Sequence, residues 1–401
     1  MNNDISFIPQ GTVTTPKGFM AGAAYAGINK HARYNLDVAI LRSDVPANTV
    51  GVFTNNKIKA APVLLCQKIL PSTTVQGVVV NSGCANASTG EYGQSDAQNM
   101  GAAAAAKAGV NMSDMLVAST GVIGRRLPLD LLNSAIGQIN LSADGGFDMA
   151  KAIMTTDTRP KHCAVSAANF TIGGIAKGAG MLHPNMATLL GFITTDASVE
   201  LSFLQSSLKD ATEKSFNMIS VDGDTSPNDS LFLFANGLAG GSTIHKGSQY
   251  AALFQQSLDT LCIYLAKEIA RDGEGATRLI EVTVRGAQSQ DDTGKVVHTI
   301  ISSPLVKAAV HGCDPNWGRI VVAAGRSGAE LVENELDLDI AGISVMRKGV
   351  PLPFDMQRLS SELAREQVSI ELNLNLGNHS ATGWGCDLSK EYVAINADYT
   401  T

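Results

Sequence analysis

The sequence predicts an α/β protein, of α+β type, in which mixed β-sheets are sandwiched by helices. Two observations lead to this fold class. Strand-like and helix-like runs alternate along the 401 residues, and residues 368–376 alternate strictly between apolar and polar side chains. The first pattern is typical of sheets covered by helices. The second predicts a strand with one solvated face, as found in antiparallel or mixed sheets.

The first half of the chain begins with strand-like runs and then becomes helical. Strands are predicted over residues 49–54, 63–66, 75–81 and 115–118, and helices over residues 93–109 and 127–139. The first of these helices ends at Gly109 and the second has Pro128 in its first turn, positions where these residue types are common.

The second half repeats the mixture of strands and helices. Strands are predicted over residues 188–194, 230–235 and 368–376, and helices over residues 199–214 and 248–271. The helix at 248–271 carries apolar residues at helical spacing, which predicts that one of its faces is buried.

Four glycine-rich segments are expected to lie outside regular structure: residues 173–184, 222–229, 272–277 and 377–385. The 39 glycines are about a tenth of the chain, above the usual share of roughly 7%. Loops held by a rigid scaffold are where binding and catalytic residues concentrate. We therefore expect the functional site among these segments.

The charge and cysteine content exclude several classes of protein. With 30 basic and 37 acidic residues the formal net charge is −7, so we expect no nucleic-acid partner and no anionic membrane partner. Six scattered cysteines without a CxxC pair predict reduced thiols and no metal site. No leader-like N-terminus and no run of 18 apolar residues is found, so a soluble, cytoplasmic protein is expected.

Two short patterns resemble ligand-binding motifs but fail in detail. The acidic run that begins at Asp222 lacks the sixth-position glycine and the twelfth-position glutamate of a calcium loop, because Pro227 and Leu233 stand there. The pair Gly178 and Gly180 does not continue into a dinucleotide-binding GxGxxG motif. The residues therefore predict neither a metal nor a nucleotide cofactor.

The most informative candidate is Thr188, which follows a flexible glycine loop and begins an apolar run. If the bond from Ala187 to Thr188 is cut, the threonine gains an α-amine with a pKa of roughly 8 next to its own hydroxyl. The amine can accept the hydroxyl proton, which makes this residue a nucleophile with an internal base. The alternative is a β-branched residue at the start of a strand, and the local composition alone favours that alternative.

Other candidates have equally ordinary alternatives. Thr120 and Gly121 follow a predicted strand, where a hydroxyl and a backbone N–H can form an oxyanion hole or simply a turn. Lys177 lies next to glycine and can fold over a carboxylate or remain solvated. Glu274 follows the long helix and can bind a substrate cation or be an exposed acid. His183 can assist cleavage or act only as a polar loop residue.

Motifs along nearly the whole chain resemble the glutamate N-acetyltransferase, or ornithine acetyltransferase, family of arginine biosynthesis. The central one is the Asn-Met-Ala-Thr sequence of residues 185–188. The others, which occur in the same order as in the family, are at residues 51–56, 59–63, 119–124, 154–158, 221–226, 271–277, 314–319 and 396–401. Chance does not produce so many ordered matches. Departures from the family pattern at Cys84, Pro227 and Cys313 lie away from the predicted site residues.

The resemblance implies a chain that cuts itself between Ala187 and Thr188. Residues 1–187 would form an α chain with the oxyanion hole and part of the substrate site, and residues 188–401 a β chain headed by the nucleophile. Two copies of each would form a heterotetramer with a layered fold like that of N-terminal-nucleophile aminopeptidases. The implied site residues are the nucleophile Thr188, the oxyanion-hole pair Thr120 and Gly121, and the substrate-binding residues Thr155, Lys177, Thr188, Glu274, Asn396 and Thr401.

The implied reaction is transfer of an acetyl group from N-acetylornithine to glutamate through an acetyl-enzyme, in a ping-pong cycle. We expect Lys177 to pair with the substrate α-carboxylate and Glu274 with the ornithine ammonium. Acetyl-CoA is a further donor in part of the family, and no other cofactor is expected. Two alternatives remain open: an amidase or aminopeptidase of the same architecture, and a metabolite-binding protein that does not cleave.

Overall fold

The computed structural model describes residues 5–30, 32–183 and 189–398. Three predicted residues, Ala187, Thr188 and Thr401, therefore lie outside the described residues. The described residues form the strands β1 Ser6–Ile8, β2 Phe19–Ala24, β3 Val38–Ser43, β4 Asn48–Phe53, β5 Gly77–Cys84, β6 Met115–Val122, β7 Lys161–Ala167, β8 Phe170–Lys177, β9 Leu190–Thr195, β10 Ile219–Ser220, β11 Ser230–Ala235, β12 Leu279–Ala287, β13 Asp337–Ile340, β14 Ile343–Arg347, β15 Val350–Pro351, β16 Gln367–Asn373 and β17 His379–Cys386.

Helices connect and cover these strands. They are α1 Ala61–Ile69, α2 Gly90–Ala108, α3 Leu129–Gln138, α4 Gly146–Ala152, α5 Leu201–Lys214, α6 Ala251–Arg271, α7 Gln290–Ile301, α8 Pro304–His311, α9 Trp317–Gly325, α10 Met356–Leu363 and α11 Lys390–Asp398. Within the described ranges, no helix combines the length and apolar content needed to cross a membrane.

The strands form three sheets. Their orders are β2-β3-β5-β6, β1-β7-β8-β9-β11-β4 and β10-β17-β12-β16-β13-β14-β15. Each sheet contains both parallel and antiparallel pairs; β5 is parallel to β6, β9 to β11, and β12 to β16. The predicted fold class of mixed sheets covered by helices is confirmed.

The six-stranded sheet lies between two hydrophobic clusters. Along β11, Leu231 and Leu233 pack into one cluster, which also contains the buried faces of α5 and α6. The alternate residues Phe232 and Phe234 pack into the other cluster, together with the four-stranded sheet and α2. Because successive strand side chains point to opposite faces, this alternation shows that both faces of the sheet are buried.

Most predicted elements are present, with ends shifted by a few residues, but the strand predicted at 63–66 is wrong. These residues lie within α1, which has Pro62 in its first turn. A buried run of four apolar residues does not distinguish a strand from a helix, whereas proline near a helix start does. The predicted loops 173–184 and 377–385 also include parts of β8 and β17, where glycines allow close packing.

Candidate active site

One cavity of about 240 Å³ brings together six of the predicted site residues. They are Thr120, Gly121, Thr155, Lys177, Glu274 and Asn396. The remaining wall includes Met181, Asp222, Asp224, Asn228 and Tyr392. The six residues come from five separate segments of the chain, so their convergence is produced by the tertiary fold. The predicted nucleophile Thr188 and the C-terminal Thr401 lie outside the described residues.

The oxyanion-hole candidates lie near the end of β6, beside the parallel strand β5. Thr120 is opposite Ser82 and Gly121 is opposite Gly83 in the register of these strands. Gly121 has a φ of +123°, and a Cβ there would collide with the Gly83 backbone. The site therefore requires glycine at residue 121. Asn228 donates to the carbonyl of Ser119 at 2.8 Å, which fixes the strand end from the opposite side.

A buried ion cluster lies behind the cavity and consists of Lys161, Asp157 and Asp272. The Lys161 ammonium is 2.6 Å from Asp157 Oδ1 and 2.6 Å from Asp272 Oδ2. Burial alone would raise the pKa of Asp157, but the ammonium groups of Lys161 and Lys177 outweigh it, and the pKa lies well below its usual range. This carboxylate is therefore ionised at neutral pH.

The Lys161 cluster holds together three of the segments that carry predicted substrate-binding residues. Asp157 accepts from the N–H of Thr155 at 3.0 Å and from the N–H of Gly178, next to Lys177, at 2.9 Å. Asp272 begins the loop that carries Glu274 and accepts hydrogen bonds from Thr158. The spacing of the three segments is therefore set by one buried cation and two carboxylates.

Lys177 differs from Lys161 because it lines the cavity. The residue is only 5% exposed. Within the described part of the chain, no carboxylate lies within ion-pairing distance of Lys177. Burial lowers the pKa of Lys177, while the charges of Asp157, Asp229 and Glu274 act in the opposite direction. A desolvated cation that lines a small cavity is well suited to bind a carboxylate.

Glu274 is buried and oriented, not an exposed acid. Its side-chain oxygen Oε2 accepts from the amide of Asn396 at 2.7 Å, and its N–H donates to Ala179 at 2.8 Å. The carboxylate lies so close to Gly180 that a Cβ at that position would collide with it. The glycine loop after β8 therefore makes room for the carboxylate, which reaches the same cavity as Lys177.

The C-terminal helix α11 closes one side of the cavity. It contributes Tyr392 and Asn396, although none of its residues is fully buried. The Ser389 hydroxyl, just before the helix, donates to Gly275 at 2.6 Å. Burial and the neighbouring charge of Asp222 raise the pKa of Tyr392, so its hydroxyl stays protonated. Helix α11 is thereby tied to the loop that carries Glu274.

Asp222 holds the chain just before the predicted cleavage point. Its carboxylate accepts from the N–H groups of Met181 at 2.6 Å and Leu182 at 2.7 Å. Met181 has a φ of +52°, in the left-handed region that is unfavourable for a methionine. His183 Nδ1 lies 3.1 Å from Ser220 Oγ, and burial lowers the pKa of this imidazole. The segment that leads into residue 184 is thus fixed by residues 220–222.

Sequence reasoning did not select Asp157, Lys161, Asp222, Asp229 or Tyr392 as site residues. Asp157 and Asp222 lie inside two of the family-like motifs, residues 154–158 and 221–226. Their place in these motifs could have marked them as candidates. Asp229 ends the segment 222–229, which was among the segments expected to contain the site. Lys161 and Tyr392 carry no local signal, because their partners are distant in sequence. Among the described residues, no group of three or more His, Cys, Asp and Glu side chains is placed to hold a metal ion.

Comparison with known proteins gives matches over the whole chain. The model of the ArgJ family matches residues 20–401. The arginine biosynthesis bifunctional protein ArgJ of Dehalococcoides mccartyi is 54% identical over 405 residues, which covers 100% of both chains. The protein of the same name from Symbiobacterium thermophilum is 48% identical over 98% of this chain and 99% of its own.

A solved structure gives a match over about half of the chain. It is that of the arginine biosynthesis bifunctional protein ArgJ from Bacillus halodurans, which is 43% identical with a TM-score of 0.50. The match covers 51% of this chain and 97% of that chain. The motifs, the family model and the full-length relatives agree, and the chain belongs to the ArgJ family of arginine biosynthesis.

Proposed function

We propose that this chain is a glutamate N-acetyltransferase that transfers the acetyl group of N-acetylornithine to glutamate through an acetyl-enzyme on Thr188. The observation that supports this most strongly is the single cavity. It holds a hydroxyl and backbone donor pair, Thr120 and Gly121, together with one buried cation, Lys177, and one buried carboxylate, Glu274. An acetylated amino acid with a cationic side chain offers the complementary groups.

The proposed chemistry follows from these groups. The Thr188 hydroxyl attacks the acetyl carbonyl, and its α-amine takes the hydroxyl proton. The Thr120 hydroxyl and the Gly121 N–H stabilise the oxyanion of the tetrahedral intermediate. The proton then passes to the departing amine of ornithine, and the acetyl group stays on Thr188 as an ester. Glutamate enters the same cavity, takes the acetyl group and regenerates the hydroxyl.

Charge complementarity assigns the two ends of the substrate. The Lys177 ammonium has no carboxylate within ion-pairing distance among the described residues, so it is free to pair with a substrate α-carboxylate. Glu274 then faces the ornithine ammonium, with Asn396 holding its carboxylate in place. Glutamate has no side-chain cation, so Glu274 contributes more to the first half-reaction than to the second.

The self-cleavage that supplies the amine is part of the same proposal. The full-length relatives match this chain from end to end, whereas the solved Bacillus halodurans chain matches only about half of it. A crystallised chain of half length is what a cut near the middle would produce, and this supports cleavage between Ala187 and Thr188. The products would be fragments of 187 and 214 residues, assembled as two α and two β chains.

The test is the intact mass and the kinetics of the purified protein. We expect two fragments cut before Thr188, one uncut inactive chain for Thr188→Ala, and residual cleavage for Thr188→Ser, which keeps a hydroxyl. Initial-rate plots against N-acetylornithine at several glutamate levels should be parallel, as a ping-pong cycle requires. Normal fragments from the alanine variant would contradict the role of the hydroxyl.

The alternatives give different outcomes in the same experiments. An amidase or aminopeptidase would release acetate or an amine without glutamate, because water would discharge the acyl-enzyme. A metabolite-binding protein would remain one uncut chain. The curated relatives are named bifunctional. We accordingly propose acetyl-CoA as a second acetyl donor for glutamate, testable by N-acetylglutamate formation without N-acetylornithine.

A further inference from the structure

Asn228 lines the same cavity as the oxyanion-hole pair, Thr120 and Gly121, but the proposed transfer reaction gives it no role. The residue is buried. Its amide nitrogen Nδ2 donates to two backbone carbonyls, that of Ala85 at 2.6 Å and that of Ser119 at 2.8 Å. A carbonyl oxygen only accepts hydrogen bonds, so the amide atom that faces these two carbonyls has to be the nitrogen. Both of its protons are therefore used inside the protein.

The two carbonyls lie at the ends of the strands that form the oxyanion hole. Ser119 directly precedes the oxyanion-hole pair on β6, and Ala85 directly follows β5. The Ala85 N–H donates to the carbonyl of Val122, directly after the pair, at 2.9 Å. The Asn228 amide and this backbone hydrogen bond therefore hold β6 on both sides of the pair.

The loop that carries Asn228 is itself firmly held. The Asn228 N–H donates to Ser226 Oγ at 3.1 Å. The carbonyl of Ser226 accepts from Thr54 Oγ1 at 2.8 Å, and the carbonyl of Pro227 accepts from the N–H of Ala60 at 2.9 Å. The loop is thus bound to the chain that follows β4, and the Asn228 amide is a fixed point for the ends of β5 and β6.

A second buried amide, that of Asn81, acts on the same strand ends. Asn81 lies opposite Ser119 in the register of β5 and β6. Its Oδ1 accepts from Ser119 Oγ at 2.6 Å, and its Nδ2 donates to the carbonyl of Cys84 at 2.9 Å. The hydroxyl and the carbonyl of Ser119 are therefore each bound by a different asparagine, which leaves the residue before Thr120 little freedom to rotate.

We propose that Asn228 is a positioning residue that holds the oxyanion hole in its active geometry before the substrate binds, an inference that rests on the proposed transfer reaction. Oxyanion-hole donors accelerate acyl transfer because they already point to where the negative charge develops. Since a peptide unit is planar, fixing the carbonyl of Ser119 also fixes the N–H of Thr120 and the direction in which the chain enters the donor pair. With both amide protons used, Asn228 has none left to donate to the oxyanion, so it acts through the pair.

The first test separates the chemical step from substrate binding. Single-turnover formation of acetyl-enzyme is measured over a range of N-acetylornithine concentrations, with purified chains that have the wild-type fragment pattern. Asn228→Ala should lower the maximal rate constant roughly 10²-fold, because a misplacement of about 1 Å is enough for such a loss. The half-saturating concentration of N-acetylornithine should change little, since Lys177 and Glu274 are untouched. A change confined to the half-saturating concentration would overturn the proposal.

A second variant should give a pH signature that a general loss of structure would not produce. Asn228→Asp keeps the shape of the side chain, but its ionised carboxylate only accepts hydrogen bonds and faces two carbonyl oxygens. Protonation restores one donor. The rate constant of Asn228→Asp, divided by that of the wild type at the same pH, should therefore rise as the pH falls. The same ratio for Asn228→Ala, which has no titrating group at this position, should stay constant.

A double variant tests whether Asn228 acts through the oxyanion hole. Thr120→Ala alone should lower the same rate constant roughly 10²-fold. If Asn228 acts by orienting the Thr120 hydroxyl, part of its effect disappears when that hydroxyl is absent. The double variant should then lose well under the roughly 10⁴-fold expected of two independent effects. A full multiplicative loss would overturn the proposal.

Asn48→Ala is the matched control. Asn48 Nδ2 also donates to a backbone carbonyl, that of Val199 at 2.8 Å, and it lies at the opposite end of the β4 and β11 pair from Asn228. This variant should lower the urea midpoint and leave the rate constant for acetyl-enzyme formation unchanged. An equal loss of rate in Asn48→Ala and Asn228→Ala would show a general effect of stability and would contradict a specific role of Asn228.

The outcomes separate this proposal from the proposed function. A wild-type protein that forms no acetyl-enzyme from N-acetylornithine would refute the proposed function. Wild-type transfer with an unimpaired Asn228→Ala variant would overturn only the positioning role. If neither Asn228→Ala nor Asn228→Asp folds and acquires the wild-type fragment pattern, the residue serves the fold as a whole, and the positioning role is overturned as well.

Discussion

Two buried lysines on neighbouring antiparallel strands have opposite surroundings. Lys161 on β7 has two carboxylates 2.6 Å from its ammonium. Lys177, at the end of β8, has none within ion-pairing distance among the described residues, and it lines the cavity. The Lys161 ammonium is paired inside the fold, whereas Lys177 lies at the cavity wall. Buried charge by itself therefore does not predict a binding residue; what favours Lys177 as one is the lack of an ion-pair partner among the described residues.

The largest expected effect is a loss of folding stability when the Lys161 cluster is broken. Lys161→Met leaves Asp157 and Asp272 buried without their cation, and removing one partner of a buried pair costs about 3–5 kcal/mol. Urea unfolding of Lys161→Met should show this loss, measured in a Thr188→Ala background so that all chains are uncut. The double variant Lys161→Met, Asp272→Asn removes a charge of each sign and should recover part of the loss. An unchanged midpoint for Lys161→Met would show that the ion cluster does not stabilise the fold.

Lys177 should show the opposite pattern, with a large effect on substrate and a small one on stability. Lys177→Met removes a cation that forms no ion pair with any described residue, so the unfolding free energy should change by less than about 1 kcal/mol. The KM for N-acetylornithine should rise roughly 10²-fold, because the substrate α-carboxylate loses its counter-ion. Cleavage of p-nitrophenyl acetate, an acetyl ester with neither a carboxylate nor an ammonium, is the matched control and should change little. Equal losses with both substrates would assign Lys177 a different role.

The two lysines also show how much of the structure the sequence alone could predict. Periodicity over many residues predicts elements well, as with the helix expected at 248–271 and observed as α6 Ala251–Arg271. A run of four apolar residues does not, as the wrong strand at 63–66 shows. Motif resemblance selected six residues that line one cavity, including Lys177 and Glu274. The roles of these residues stay predictions.

Long-range pairings could not be predicted from local pattern. Lys161 and Asp272 are 111 residues apart, and only the packing of β7 against the end of α6 makes them partners. Asp229 lies opposite Leu189 because two parallel strands share a register that no spacing in the sequence encodes. Residues that position the site are therefore less visible in a sequence than residues that line it.

A smaller effect is expected from crowding the Glu274 carboxylate beside Lys177. An alanine at Gly180 would place a Cβ against the Glu274 carboxyl group, the flexible end of a side chain, so the fold can accommodate it by moving that group. Gly180→Ala should lower the rate of acetyl-enzyme formation from N-acetylornithine roughly tenfold, or about 1.4 kcal/mol. Discharge of acetyl-enzyme by glutamate should change less. Single-turnover measurement of both half-reactions tests this, and equal losses would contradict the pairing of Glu274 with the ornithine ammonium.

The smallest expected effect is a difference between Asp157 and Asp229 in how each carboxylate makes the folding stability depend on pH. The pKa of Asp157 is lowered in the fold by Lys161 and Lys177 despite burial, so its stabilisation is present above the unfolded-state pKa of about 3.9 and is lost as the pH falls below it. The pKa of Asp229 is raised in the fold by burial. The stability that its protonated form contributes is therefore fully present below the unfolded-state pKa and is lost as the pH rises through the folded-state pKa. Asp157→Asn should therefore flatten the acid side of the stability profile. Asp229→Asn should instead raise the unfolding free energy near neutral pH, by on the order of 1 kcal/mol.

Urea midpoints between acidic and neutral pH, in the Thr188→Ala background, measure how the stability of each variant depends on pH. If the two variants changed stability in the same direction at neutral pH, the contrast between a carboxylate stabilised by neighbouring cations and one destabilised by burial would not hold.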